Sequence, residues 1–162
     1  MYYTRFETPF CGIILVGDEN GLTNLHLNTG EGKRKFDIDP NWTRDDGFFN
    51  DVKRQILDYF GGDRQSFDIK LNPQGTGYQK IVWQHLQQIP FGELRTYKDI
   101  AGSLGNDKAS RAVGMANSKN PIPLIIPCHR VVGTNGKLTG FAHGLAIKEK
   151  LINFEQSIVL SS

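Results

Sequence analysis

The chain has 162 residues, 38% of them apolar and 22% charged, with a formal net charge of +2. That is room for one globular domain, or for two small ones packed together. No run approaches the roughly 18 apolar residues of a membrane helix, and "MYYTRFETPF" lacks the basic-then-apolar order of an export signal. The two cysteines, Cys11 and Cys128, make no disulfide framework. Free thiols in a reducing cytoplasm are expected, and without clustered Cys/His ligands no metal site is expected. The charge is uneven: residues 1–74 hold 9 Lys/Arg against 12 Asp/Glu, and residues 75–162 hold 10 against 5. An acidic half joined to a basic half points to an anionic partner for the second half, or to chance.

Residues 1–28 read as β structure, with apolar runs on both sides of a turn at Asp18-Glu19-Asn20-Gly21. Residues 29–47 are polar and turn-rich, a surface loop. Phe49, Val52, Ile56 and Phe60 recur at helical spacing over 48–60, and Gly61-Gly62 would end that helix. "SFDIKL", 66–71, alternates like a strand. "NPQGTG", 72–77, reads as a linker and falls where the charge balance changes sign.

The second half opens on a helix whose apolar stripe is Tyr78, Ile81, Val82, His85, Leu86 and Ile89. Pro90 and Gly92 stop it. Two short helices follow, about 97–104 and 108–117, around Gly105-Asn106-Asp107. Ile100, Ala101 and Leu104 would face the core from the first, and Ala109, Ala112 and Val113 from the second. Two short helices about a tight turn match a helix-turn-helix, and other helical hairpins as well. Residues 144–155 form a last amphipathic helix with Leu145, Ile147, Leu151, Ile152 and Phe154. The fold class expected is α/β. Residues 1–74 form a small domain of antiparallel sheet plus helix, and 75–162 a mostly helical domain.

"IPLIIPCHRVV", 122–132, carries the chemistry. A thiol reacts as its thiolate, so a reactive cysteine needs a base or a positive setting. His129 and Arg130 follow Cys128 directly, and Pro127 fixes the backbone before it. Adjacency does not make contact, since strand neighbours point to opposite faces. A buried structural cysteine remains the other reading.

The wider segment "NPIPLIIPCHRVVGTNGKLTGFAHGL", 120–145, resembles the active-site segment of the O6-alkylguanine-DNA alkyltransferases, the methylated-DNA–protein-cysteine methyltransferases. The resemblance extends over 76–155, through "YQKIVWQHLQQIPFGELRTYKDIAG" and "SRAVGMANSKNPIP". Residues 1–75 resemble the family's variable N-terminal domain only loosely. The resemblance implies that an O6-alkylated guanine (and, as an extension, O4-alkylthymine) is rotated out of double-stranded DNA into a pocket. Its alkyl group then passes irreversibly to the cysteine, once per molecule. A base inside a duplex is out of reach of a pocketed thiolate, which agrees with flipping. No cofactor, no metal and no obligate protein partner is implied, and a cytoplasmic monomer that meets the nucleoid through DNA is expected.

Residue by residue, the resemblance makes Cys128 the alkyl acceptor and His129 the residue that takes its proton through a water. Glu155 would orient His129, giving a Cys–His–Glu relay; on the sequence alone it reads as a solvated helix end. Asn120 would brace the active-site loop, or simply make an Asn-Pro turn. Tyr97 would serve the flipped guanine, or pack a helix start. Arg111 would enter the base stack, or touch phosphate. Ser110, Ala112 and Gly114 would let that helix approach the minor groove, whose degenerate code suits low sequence specificity. Arg95, Lys98, Lys108, Lys119, Arg130 and Lys137 could contact phosphates. Pro123, Val131, Phe141 and Ala142 would form the pocket, with Phe141 an aromatic wall. His143 departs from the family pattern and could titrate near the site. Cys11, His26 and His85 read as structural. A cysteine hydrolase and a DNA-binding module without chemistry remain the alternatives. No protease or nucleophile-elbow signature favours the first, and the presence of Cys128 weighs against the second.

Overall fold

The computed structural model describes residues 1–32 and 34–161. Lys33, within the predicted loop 29–47, and Ser162, at the end of the predicted second part, lie outside them. Strands β1 (Tyr2–Glu7), β2 (Gly12–Asp18) and β3 (Gly21–Asn28) form an antiparallel meander, and the short β4 (Thr43–Arg44) joins β1 in parallel. The sheet order is β3-β2-β1-β4. β2 is the central apolar run, with Ile13, Ile14, Leu15 and Val16 all buried, as expected of a strand covered on both faces. The β2–β3 turn lies where the sequence puts it. Its positive φ falls on Gly21, and Asp18 Oδ1 accepts from Asn20 N at 2.9 Å.

Helix α1 (Asn50–Phe60) follows a 3-10 turn at Gly47–Phe49. Its buried face adds Gln55 and Tyr59 to the predicted Ile56 and Phe60; Phe49 is buried from the 3-10 turn before it, and the predicted Val52 is half-buried. Gln55 explains why 66–71 is not the strand that its alternation suggests. The glutamine amide takes both backbone groups of Asp68, accepting from its N at 2.9 Å and donating to its O at 3.0 Å. A side chain thus replaces a strand neighbour, and only Leu71 bridges to β3.

The expected linker is a helix cap. Thr76 and Gln79 form a capping box at the start of α2 (Gly77–Leu86). The buried stripe of α2 is Val82, Trp83, Leu86 and then Ile89, whereas Tyr78 and Ile81 are exposed and His85 is half-buried. Trp83 sets this roll: its Nε1 donates to Ala116 O at 2.9 Å, which turns the indole inward and the predicted edge of the stripe outward.

Beyond α2, β5 (Arg95–Thr96) pairs in parallel with β6 (Val131–Val132). Thr96 caps α3 (Tyr97–Ser103) through a second capping box with Asp99. α4 (Ser110–Ser118) packs on α3 and α2. Ile100, Ala101 and Val113 are buried as expected. Ala112 is exposed; Ala116 and Asn117, one turn further on, fill the place predicted for it. The last helix, α5 (Leu145–Ser161), runs six residues past its predicted end, and its first residue Leu145 is exposed. One apolar cluster runs from Ile13 and Leu25 through Trp83 and Val113 to Leu151, so both halves share a core. No helix among the described residues is long and apolar enough to cross a membrane.

Trp83→Phe is expected to cost about 2–3 kcal/mol, by removing the indole donor from the Ala116 carbonyl, which keeps only Lys119 N, and by leaving a void beside it. Ile81→Gln, on the exposed side of the same helix, should stay within about 0.5 kcal/mol of wild type. Urea denaturation followed by circular dichroism distinguishes the two.

Candidate active site

The segment before Cys128 is built on Asn120. Its Nδ2 donates to Ile126 O at 2.8 Å, and its Oδ1 accepts from Ile122 N at 2.9 Å. Ile126 O also accepts from Cys128 N at 2.7 Å across Pro127, whose φ of −79° and ψ of 65° make an inverse γ-turn. Leu124, buried inside this loop, has a φ of 76°, a strained value for a leucine. The chain then enters a single 3-10 turn, Cys128–Arg130. A turn of this kind, unlike a strand, gathers successive side chains.

All three residues of the turn are buried, and two converge on Glu155 of α5, which is 1% exposed. His129 Nε2 lies 2.7 Å from Glu155 Oε2. Arg130 donates through Nε to Oε1 at 2.8 Å and through Nη2 to Oε2 at 3.0 Å. Its Nη1 donates to Ile89 O at 2.7 Å. Gly92 N donates to Oε1 at 3.1 Å and Tyr59 Oη to Oε2 at 2.5 Å. Of these donors, His129 and Arg130 hold the Glu155 carboxyl far below the usual range against the opposing effect of burial. A carboxylate only accepts, so the proton of His129 sits on Nε2 and Nδ1 carries the lone pair. Nδ1 has no hydrogen-bond partner among the described residues. Burial draws the pKa of His129 down, opposed by Glu155. Burial pushes the Cys128 thiol up, opposed by hydrogen bonding to Asn120 and by the charges of Lys148 and Arg34. Burial thus favours a neutral thiol and a neutral imidazole on successive residues of one turn.

Thr139 O is the second focus. It accepts from Tyr97 Oη at 3.1 Å and from Lys148 Nζ at 2.8 Å. Lys148 is fully buried, its ammonium 5.9 Å from the Tyr97 ring centre and 5.8 Å from that of Phe141. Burial lowers its pKa to about 8. Gly140 has a φ of 65°, and a Cβ there would stand 3.1 Å from Tyr97 Oη.

Arg34 closes the site from the first half. Its guanidinium donates to Asn120 O at 2.5 Å and also to Ser118 O, and its backbone N donates to Ala142 O at 3.1 Å. The space beside Cys128, lined by Arg34, Asn120, Phe141, Ala142 and His143, is about 10 Å³. That is room for about one water. Outside it opens a cleft of about 690 Å³, bordered by Arg34, Lys35, Lys119 and Phe141.

Two family models cover the chain. One, described as the ribonuclease-like domain of 6-O-methylguanine DNA methyltransferase, matches residues 1–73, and the other, its DNA binding domain, matches residues 77–157. A methylated-DNA–protein-cysteine methyltransferase of Methanosarcina acetivorans is 53% identical, over 97% of this chain and 99% of its own. This chain belongs to the 6-O-methylguanine DNA methyltransferase family. The constitutive methylated-DNA–protein-cysteine methyltransferase of Bacillus subtilis is 40% identical over 96% of this chain and 95% of its own. The crystal structure of Mycobacterium tuberculosis OGT in complex with DNA matches with a TM-score of 0.88 at 40% identity, covering 98% of this chain and 94% of that one. The mixed α/β fold expected from the sequence is the fold of that structure.

The structure brings Cys128, His129, Glu155 and Asn120 together, and sets Tyr97 and Phe141 around Lys148. Glu155 lies within α5 rather than at a solvated end. Pro123 and Val131 are buried, Pro123 bridging to Ile126 and Val131 pairing with Arg95. Arg111 and Ala112 lie exposed on α4, Ser110 is half-buried, and Gly114 faces the Tyr97 ring. Lys98, Lys108, Lys119 and Lys137 are exposed, and Arg95 pairs with Glu93 at 3.1 Å. Arg130 is not available to phosphate, because Glu155 and Ile89 hold it inside. His143 is not a titrating group at neutral pH: it is buried, with its ring centre 5.6 Å from that of Phe141 and 5.2 Å from that of His26. Arg34, Tyr59 and Lys148 complete the site, and sequence reasoning missed all three. Arg34 sits in a segment that reads as surface loop. Tyr59 and Lys148 sit on helices whose apolar spacing hides what their polar ends reach.

Burial, then Arg34 and His26, draw the pKa of His143 from 6.5 down to about 3. The unfolded chain takes that proton at higher pH. His143 thus contributes its full stability above about pH 6.5 and loses it as the pH falls toward 3. His143→Phe is expected to flatten this loss. Its urea midpoint should fall less than that of wild type between pH 6.5 and 4.

Proposed function

We propose that this chain is a single-use DNA-repair methyltransferase that moves the alkyl group of O6-alkylguanine in double-stranded DNA onto Cys128. The observation that carries this is a buried thiol in one turn with an imidazole whose other nitrogen is fixed by Glu155, in a member of this family. His129 Nδ1 takes the thiol proton through one water, and the thiolate attacks the alkyl carbon. The S–C bond forms as the C–O6 bond breaks. The electron pair of that bond stays on guanine, and the proton given up by the thiol balances it, so guanine leaves neutral. Tyr97, by exchanging its hydrogen bond to Thr139, donates to the base as charge develops there. Asn120 braces the loop, and Phe141 and Ala142 wall the pocket, backed by Pro123 and Val131. The thioether is not reversed, so each molecule acts once.

Residues 75–162 carry DNA binding and chemistry, with 1–74 as a supporting α/β domain. α3 and α4 act as a helix-turn-helix in the minor groove. Arg111 fills the gap left by the flipped base, while Ser110, Ala112 and Gly114 keep the helix slim. The exposed lysines beside the cleft meet phosphates. The protein works as a cytoplasmic monomer on DNA.

Intact mass after incubation with a duplex holding one O6-methylguanine is the test. One added methyl per chain, on the peptide with Cys128, is expected; Cys128→Ser should bind the same duplex and gain nothing. Lesion binding with no mass change would instead make this a binding-only protein. Arg111→Ala should slow transfer from duplex by roughly tenfold or more, equivalent to about 1.4 kcal/mol, and leave reaction with O6-benzylguanine as free base near wild type. Equal loss on both substrates would remove the finger role.

A further inference from the structure

Glu155 Oε2 is shared by three donors, and one comes from the other half of the molecule. Tyr59, on α1, is fully buried and 96 positions away in sequence. Its Oη donates to Oε2 at 2.5 Å, beside His129 Nε2 at 2.7 Å and Arg130 Nη2 at 3.0 Å. The ring is fixed by aromatic neighbours: Phe60 at 5.1 Å, Phe67 and Phe154 at 5.6 Å, and Phe91 at 5.9 Å between centres. Burial and the adjacent carboxylate keep the phenol protonated, so it acts only as a donor.

We propose that Tyr59 is a positioning residue for alkyl transfer: by donating to the Glu155 oxygen that His129 uses, it limits how basic His129 becomes. The proposal rests on the relay described above. Donors on one carboxylate oxygen divide its negative charge, so each additional one weakens the pull of that oxygen on the others. The charged and titratable groups around His129 are Glu155 and Lys148 from α5, Arg130 and Cys128 from its own turn, and Tyr59 from α1. Arg130 has a second acceptor at Ile89 and its charge is fixed. Tyr59 is therefore the neutral, removable donor in the set. With Tyr59 in place, His129 stays neutral at rest and ready to accept the thiol proton. Without it, the imidazolium is better stabilised, and more acid-side protonation must be undone before Cys128 reacts.

The test is Tyr59→Phe in the full chain, which keeps the ring and removes the O–H. Two rates are followed across pH by mass spectrometry of the Cys128 peptide: methyl transfer from the O6-methylguanine duplex, and alkylation by iodoacetamide, which the peptide assignment separates from alkylation of Cys11. The acid limb of both profiles is expected to move to higher pH by about 0.5–1 unit, with little change in affinity for the duplex. Site-specific 3-fluorotyrosine at position 59, a stronger donor of nearly the same shape, should move it the other way. Profiles unchanged, or lowered by one factor at every pH, overturn the proposal. If iodoacetamide shows the shift while the duplex transfers nothing, Tyr59 holds its role and the methyltransferase reading fails. If Tyr59→Phe does not fold, the fluorotyrosine profile alone decides.

Discussion

A single buried carboxylate organises the molecule. Glu155 is 1% exposed and accepts five hydrogen bonds, from Tyr59, Gly92, His129 and twice from Arg130. An ion taken out of water costs several kcal/mol unless its lone pairs are met, and here they are. The donors come from α1, from the turn after α2, and from the turn that carries the thiol. Each of those segments must therefore be in place before the charge is tolerable. The same carboxylate fixes the tautomer of His129, so folding and the proposed chemistry draw on one set of contacts.

The two halves are joined by polar contacts as well as by a shared core. β3 donates from Leu25 N to Pro121 O at 2.9 Å, at the start of the active-site loop. Thr29 Oγ1 donates to His143 O at 2.8 Å, and Gly32, with a φ of 81°, lets the chain pass so close to Ala142 that any side chain there would collide with it. Arg34 then takes the carbonyls of Ser118 and Asn120, where α4 ends and the loop begins. Charge imbalance along the sequence divides the chain near residue 74, but the site draws on both sides of that divide.

Much of this was legible in the sequence, for physical reasons that differ from place to place. The hairpin, α1, the α3–α4 pair and the Cys-His turn follow local signals: an Asn-Gly turn, helical spacing, a tight turn at Gly105-Asn106-Asp107 and a specific motif. What was missed depends on side chains that act as backbone or reach across the fold. Gln55 stands in for a strand at Asp68, Trp83 rolls α2 away from its most regular stripe, and Arg130 turns inward although its type and place suggest phosphate. Cys128, His129, Asn120 and Glu155, which the structure brings together, were named through the resemblance, whereas Arg34 and Tyr59 lie in the half where the resemblance is loose. No periodicity encodes a contact between residues 96 positions apart.

The tightness of the space at Cys128 bears on how a protein that works once survives until it is needed. A space of about 10 Å³, with a protonated thiol and a neutral imidazole, offers soluble electrophiles and oxidants little to attack. Asn120, Lys148 and Arg34 favour the ionised sulfur, yet burial outweighs them. On the function proposed above, a base large enough to enter would have to displace part of this lining, which includes Arg34, Phe141 and Ala142, and the duplex would supply binding energy to do so. On that function the tight site would serve as a safety catch: the thiol stays shielded from premature modification, and the molecule is spent on the occupant that can open it.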